Sequence, residues 1–452
     1  MPAVTLFEVI WCRLCGVFRE ADAYRAIQMF MYALMMPMFN RVREKKAKAA
    51  AVFLVLLVPM IFQIYDAFWF YHSIYCDYAV GVLVFYCAFE IWKARKITAY
   101  HVFVLSLSLT VMVCAKMTAM ACLPMILLLY VMKRLADPER RSYGRKRFVA
   151  YLPLVAVPVG VWFAFNRFVD VYVPNTGHRQ SYDSLRLSSV LEVFGSAENS
   201  SIPYLETVRR TFLRDLFTRN VLLNGSYAVA LGFIFVLFLI LMQRQKERQS
   251  RTAVCLAGVW TLFCGIGYAL LMYFLYATAF PEGEAVRLAS YERYMDSFLV
   301  TVIYLLIAVY YESETWKRHR KGFYVIVLAL AADLFFLHIN TFSQMLPGNL
   351  RHEEETTAPF REPAMRVAEH TEEDARIFYV IRGDNYWHLI HYLYYCSPRP
   401  YGGGNIGPAM NENDSTFQHL TIEEFKEAVG QCDYFFCGEL VWTFMEAYRD
   451  AF

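Results

Sequence analysis

The sequence predicts a mainly α-helical, polytopic membrane protein of about ten transmembrane helices, followed by a small α/β domain. Three observations carry that expectation. Of 452 residues, 58% are hydrophobic, 17% aromatic and only 19% charged, a composition that fits an integral membrane protein with one soluble appendage. Five short segments, Arg41 to Lys48, Lys93 to Lys96, Lys133 to Arg147, Arg244 to Arg251 and Lys317 to Lys321, hold 23 of the 44 Lys and Arg residues, and apolar stretches separate them. Beyond about residue 342, short β-branched and aromatic runs alternate with helix signals, the pattern of a folded α/β domain.

Residues 1–21 open the chain without the charged region, apolar core and cleavage site of a signal peptide. Thr5 to Phe18 is apolar and aromatic but contains Glu8 and Arg13, which suits an amphipathic segment lying on the outer membrane surface. The membrane domain is expected over 22–342, with spans near 22–39, 49–66, 77–92, 98–115, 118–133, 148–168, 226–243, 253–277, 291–312 and 322–341. Several hold only 16 to 18 clearly apolar residues, fewer than the usual ~20, so tilted or buried segments are expected. Basic loops are retained in the cytoplasm during insertion. Counting crossings from them places both termini outside the cytoplasm, in the cell membrane of a multi-pass protein. An outside N-terminus without a signal peptide leads to the expectation that a further spanning helix precedes Met1.

The same parity makes 169–225 an extracytoplasmic loop. Within it, Tyr204 to Arg219 sets Leu205, Val208, Phe212, Leu213, Leu216 and Phe217 at helical spacing among four arginines, an amphipathic surface helix. Its arginines could meet lipid phosphate or simply anchor the helix at the interface. The α/β domain over 343–452 is also extracytoplasmic by this count. Ala375 to Arg382 and Asp433 to Cys437 read as buried strands, and Thr421 with Glu424 forms a capping box opening a helix over Ile422 to Val429. Gly430 stands at the expected C-cap, Ser397 to Pro408 with Gly402, Gly403 and Gly404 reads as a loop, and Val441 to Arg449 as a last helix.

A net charge of +3 clustered in loops speaks for topology, and no nucleic-acid motif is present. Of eleven cysteines, Cys76, Cys87, Cys114, Cys122, Cys255 and Cys264 lie in or beside apolar stretches, where the residue acts as a small hydrophobe. Cys12 and Cys15 have ligand-like spacing but no second pair, and no metal-binding motif appears. Cys396, Cys432 and Cys437 could form one disulfide.

Ionisable residues at span ends carry the chemistry, because burying charge in a bilayer is costly. Asp66 and Asp77 flank an outer loop that includes His72, and Lys116 sits in the turn between two spans. Arg287, Glu292, Arg293 and Asp296 crowd the outer start of the ninth span, and Glu292 and Asp296, four apart, share a helix face. Interfacial anchoring or internal ion pairing would also account for any one of them. Asp333 falls midway along the last span, where packing is the expected role, and His338 lies near its outer end. Cations suit a developing phosphate charge, and a carboxylate suits proton abstraction from an acceptor hydroxyl.

HSIYCDYAVGVLVFY, LSLTVMVCAKMTAM and LASYERYMDSF, followed by an outer α/β region, together resemble bacterial GT-C superfamily membrane glycosyltransferases, the group that includes protein O-mannosyltransferases and aminoarabinose transferases. The likeness covers most of the chain through short motifs in a shared order. It implies a polyprenyl-phosphate-linked sugar donor, an extracytoplasmic glycan or lipid acceptor and inversion at the anomeric carbon, in cell-envelope glycan assembly. By this resemblance Lys116 and Arg293 hold the donor phosphate, while Asp77 and Glu292 orient substrates, Asp77 being the better base. Arg287 joins the binding set on placement alone. Such enzymes carry their main acid in a first outer loop that has no counterpart here, so an inactive relative is also expected. No cofactor is implied, although some members of the superfamily use a divalent cation. A transporter or flippase of lipid-linked glycans, or a non-catalytic accessory membrane protein, would use the same outer charges without chemistry.

Overall fold

The computed structural model describes residues 3–16, 20–39, 45–62, 76–94, 97–136, 152–172, 192–195, 202–223, 225–337, 347–381, 387–404, 420–437 and 448–449. The chain is mostly helical and divides into two compact units, Met1–Thr341 and Phe342–Phe452.

The first unit contains α1 (Ala3–Leu14), α2 (Glu20–Met35), α3 (Lys45–Leu57), α4 (Asp77–Lys93), α5 (Ala99–Ala115), α6 (Cys122–Leu135), α7 (Pro153–Tyr172) and α8 (Leu205–Thr218). A short antiparallel hairpin follows, β1 (Asn220–Leu222) and β2 (Gly225–Ser226), then α9 (Tyr227–Gln243), α10 (Arg248–Thr278), α11 (Glu282–Arg287), α12 (Tyr291–Glu312) and α13 (Glu314–Leu337). Each of the ten apolar stretches contains helix. By length and composition α10 and α12 are long and apolar enough to cross a membrane, and shorter apolar helices cover Lys48–Ile61, Ala99–Ala115, Pro153–Phe168, Tyr227–Gln243 and Val327–Phe336. Two helices start inside basic segments, α3 at Lys45 and α10 at Arg248, and α13, starting at Glu314, runs through a third. Lys and Arg are good helix formers, so basic residues mark polarity without marking a helix end.

Helices α4 and α12 form the centre. Gly81 of α4 lies so close to α12 that an added Cβ would stand 2.4 Å from the Ser297 carbonyl oxygen. Across that contact the fully buried Thr301 donates its hydroxyl to the Gly81 carbonyl at 2.8 Å. The Tyr78 and Tyr304 hydroxyls meet at 2.5 Å, and Tyr304 donates to the Val55 carbonyl at 3.1 Å. Helices α9 and α10 pair through glycine in the same way, with Gly265 facing Leu231 and accepting from the Tyr227 hydroxyl at 3.0 Å. Close approach of this kind is the usual device for packing apolar helices that have little water to expel.

The ends of α4 carry different chemistry. At its C-terminus Lys133 donates to the Trp92 carbonyl at 2.7 Å, and the Trp92 indole donates to the Ala253 carbonyl at 3.0 Å. Three basic segments thus abut one end of the bundle. Asp77 opens the other end, about 25 Å away along a 17-residue helix.

The α8 helix forms where the amphipathic pattern places it. Its buried side chains, Leu205, Val208, Phe212 and Asp215, pack toward α10 and α11, while Leu213 and Phe217 are exposed. Its arginines meet protein partners: Arg209 and Arg210 pair with Glu206, Arg214 with Asp215, and Arg209 also bonds the Val193 and Gly195 carbonyls. In α13, Asp333 is exposed where packing was expected; hydropathy gives depth along a helix but not which face a residue occupies.

The second unit has a three-stranded parallel sheet in the order β4 (Tyr401–Gly404), β3 (Ile377–Val380), β5 (Tyr434–Cys437), with α14 (Pro347–His370), α15 (Trp387–Cys396) and α16 (Ile422–Gly430). All four β3 residues are buried, and residues on both of its faces belong to apolar clusters, Ile377 and Tyr379 with Leu389 and Tyr392, Phe378 and Val380 with Phe425 and Tyr448. A central parallel strand covered on both faces reads as a continuous apolar run. The glycine-rich segment expected as a loop is instead the edge strand β4. Only glycine fits, since a Cβ at Gly402, Gly403 or Gly404 would come within 2.4 Å of Cys432 Sγ, 2.7 Å of the Phe378 ring or 2.5 Å of the Tyr379 carbonyl oxygen respectively. The Thr421–Glu424 capping box forms, and α16 runs through Gly430 to end on Gln431. No disulfide joins Cys396, Cys432 and Cys437. Asp66, His72, His338 and residues 441–447 of the expected last helix lie outside the described residues.

Candidate functional site

Three of the five residues singled out from the sequence converge at the open end of α4. Asp77 is the first residue of that helix, where a carboxylate complements the helix dipole, and only 4% of it is exposed. Lys116 occupies an extended break between α5 and a 3-10 turn over Met117–Ala121, and that break turns its ammonium group onto Asp77 Oδ1. Arg293, in the first turn of α12, places Nε 3.4 Å from Asp77 Oδ2, an ion pair without hydrogen-bond alignment. One carboxylate therefore bridges two cations drawn from distant parts of the chain. Such a pair is shielded from screening by its burial, yet it stabilises only while both partners stay in place.

Tyr294 forms the platform beneath them. Its ring centroid lies 4.4 Å from Lys116 Nζ and 5.0 Å from the Arg293 guanidinium carbon, and its hydroxyl accepts from Arg293 Nη2 at 3.1 Å. The face of an aromatic ring attracts cations. Tyr268 fixes the platform by donating to the Tyr294 carbonyl at 2.8 Å. Asp77 and Lys116 open onto a narrow cleft with Tyr268, Ser297 and Thr301 among its polar lining, over apolar Val80, Val84 and Phe298. The cleft has room for about one water molecule.

Glu292 is adjacent to Arg293 in sequence but turned away from this cluster. Arg219, immediately after α8, holds it with both ends of a guanidinium fork, Nε to Oε1 at 2.5 Å and Nη2 to Oε2 at 2.9 Å. Bidentate pairing of this kind fixes orientation as well as charge. Arg219 also pairs with buried Asp215 at 3.5 Å and stacks over the Tyr291 ring at 5.4 Å. Arg287 ends α11 with its side chain exposed, while its carbonyl accepts from Arg219 Nη1 at 3.4 Å. The guanidinium of Arg287 therefore joins neither carboxylate. Asp296 is fully buried one turn below Glu292, and neither of its oxygens has a hydrogen-bond partner among the described residues.

The connection that aims Glu292 and Arg293 is strained. Leu288 and Ser290 both adopt left-handed backbone, with φ of 50° and 57°, which costs a non-glycine residue of order 1 kcal/mol or more. Tyr276 holds the turn by donating to the Ala289 carbonyl at 2.7 Å, and the Ala289 amide bonds the Glu284 carbonyl at 2.9 Å.

Sequence reasoning missed two members of this site. Arg219 counted only as one of four arginines on an amphipathic helix, and Tyr294 only as part of an aromatic span opening. Neither has a local signature, because the partners that define them come from other helices. For metals, no group of three or more His, Cys, Asp or Glu side chains that could hold an ion occurs among the described residues. Comparison with family models, curated proteins and solved structures returned no match to this chain.

Proposed function

We propose that the chain is a multi-pass cell-membrane protein that binds a polyprenyl-phosphate-linked sugar and transfers the sugar to an extracytoplasmic glycan or lipid acceptor, in the manner of GT-C glycosyltransferases. The observation that carries the proposal is the bridging of Lys116 and Arg293 by Asp77 at one end of an apolar helical bundle. Two cations side by side suit the phosphate of a lipid donor, whose charge grows as the sugar departs. A carboxylate within reach of the same centre suits removal of the acceptor's proton. Support for the orientation comes from the opposite end of α4, where Lys93 and Lys133 sit with the basic segments that would face the cytoplasm. In this reading both termini, the 169–225 loop and the Phe342–Phe452 unit are extracytoplasmic.

Each side chain then has a task. Lys116 and Arg293 hold the phosphate, and Asp77 takes the proton. Glu292, fixed by Arg219, orients donor or acceptor, and exposed Arg287 reaches incoming anions from the rim. The purified chain is to be titrated with a labelled polyprenyl-phosphate sugar. Lys116→Ala and Arg293→Ala should each weaken binding about tenfold or more, and undiminished affinity would remove the phosphate role. Donor binding without transfer to any acceptor would point to a carrier of lipid-linked glycans instead.

A further inference from the structure

Resting on that reading, we infer that the Asp77 carboxylate occupies the seat of the donor phosphate in the unliganded protein, and that the donor binds by exchange with it. Asp77 presents Oδ1 to Lys116 and Oδ2 to Arg293. A phosphate diester offers two oxygens in a similar geometry, and carboxylate and phosphate are the two anions that bidentate cation pairs recognise alike. Among the described residues, the cleft behind the pair has room for about one water molecule, too little for a phosphate to add there beside the carboxylate. Lys116 donates to Asp77 and also lies over the ring of Tyr294, which would continue to hold both cations after Asp77 leaves.

Charge is conserved in the exchange. Lys116 and Arg293 contribute two positive charges and Asp77 one negative; a diester phosphate replacing the carboxylate leaves the same balance around the cations. The released carboxylate is then free to accept a hydrogen bond from an acceptor hydroxyl. Until the donor arrives, the base is engaged, so donor must bind before acceptor.

The experiment uses the full chain in detergent micelles, with sugar-free polyprenyl monophosphate as the probe. Wild type, Asp77→Asn and Lys116→Ala are titrated side by side. If Asp77 blocks the seat in nine molecules of ten or more, removing its charge tightens apparent binding about tenfold or more, while Lys116→Ala weakens it. Asp77→Asn binding no more tightly than wild type, with wild type binding and Lys116→Ala impaired, overturns the exchange and leaves the phosphate reading intact. Absence of binding to every protein overturns both. Should Asp77→Asn fail to fold, carbodiimide labelling of Asp77 in the wild type serves instead. Labelling that rises as the probe is added supports release of the carboxylate, and unchanged or reduced labelling refutes it.

Discussion

Replacing Gly81 by Val tests whether the α4–α12 contact sets the site geometry. A Cβ at this position would lie 2.4 Å from the Ser297 carbonyl oxygen and 3.1 Å from Val300 Cβ. Ordinary contact begins at about 3.4 Å, so the helices must part by about 1 Å. Overpacking of this size costs about 1–3 kcal/mol, and loss of the Thr301 bond to Gly81 adds about 1 kcal/mol. At roughly 2 °C per kcal/mol for a large domain, Tm should fall by about 4–8 °C. The wedge lies one helical turn from Asp77 on α4 and one turn from Arg293 on α12, so the 3.4 Å pair at the site should also open. Gly160 supplies the control, since no atom of the described residues lies within 4 Å of its added Cβ. Gly160→Ala should hold Tm constant or raise it slightly. Thermal unfolding in detergent, followed by tryptophan fluorescence, measures both. Equal Tm values for Gly81→Val and Gly160→Ala would refute the close-contact reasoning.

Three further outcomes are expected. A double-mutant cycle on Arg219→Ala and Glu292→Ala, read by chemical denaturation, should give a coupling of about 0.5–2 kcal/mol, since the pair is bidentate but both side chains remain partly exposed. In the second unit, Gly403→Ala should destabilise by about 1–3 kcal/mol, because φ of 141° disfavours any side chain and a Cβ would strike Phe378; proteolysis of that unit reports it. Burial pushes Glu8 from 4.5 up to about 7, so folding takes up a proton there and the attachment of α1 should be firmest below about pH 4.5 and weaken as pH rises to about 7. Hydrogen exchange of α1 amides across that range should show the trend, and Glu8→Gln should abolish it.

Much of this architecture was legible in the chain. Apolar runs separated by Lys and Arg announced the helices, because side-chain polarity is a property of each segment on its own. The Thr421–Glu424 cap was equally readable, since both partners lie within one turn. Helix ends were not: Lys45 and Arg248 are polar yet helical, so the change in polarity and the end of hydrogen bonding fall at different residues. The β4 strand escaped for another reason. Glycine carries no strand signal of its own, and Gly402 to Gly404 form a strand because Phe378, Tyr379 and Cys432 leave room for nothing larger.

For the candidate site the division is sharper. Asp77, Lys116, Glu292 and Arg293 could be selected from sequence because a charge at the end of an apolar stretch is costly wherever it lies. Pairing them was beyond sequence, since Glu292 and Arg293 are neighbours in the chain yet serve different partners. The turn between successive helix residues sends Arg293 toward Asp77 and Glu292 toward Arg219, and only the packing of α4 and α8 against α12 supplies those partners. The sequence by itself determined which charges stand at the ends of apolar stretches. Tertiary structure decided which of them meet, because ion pairing depends on distances across helices that no local pattern encodes.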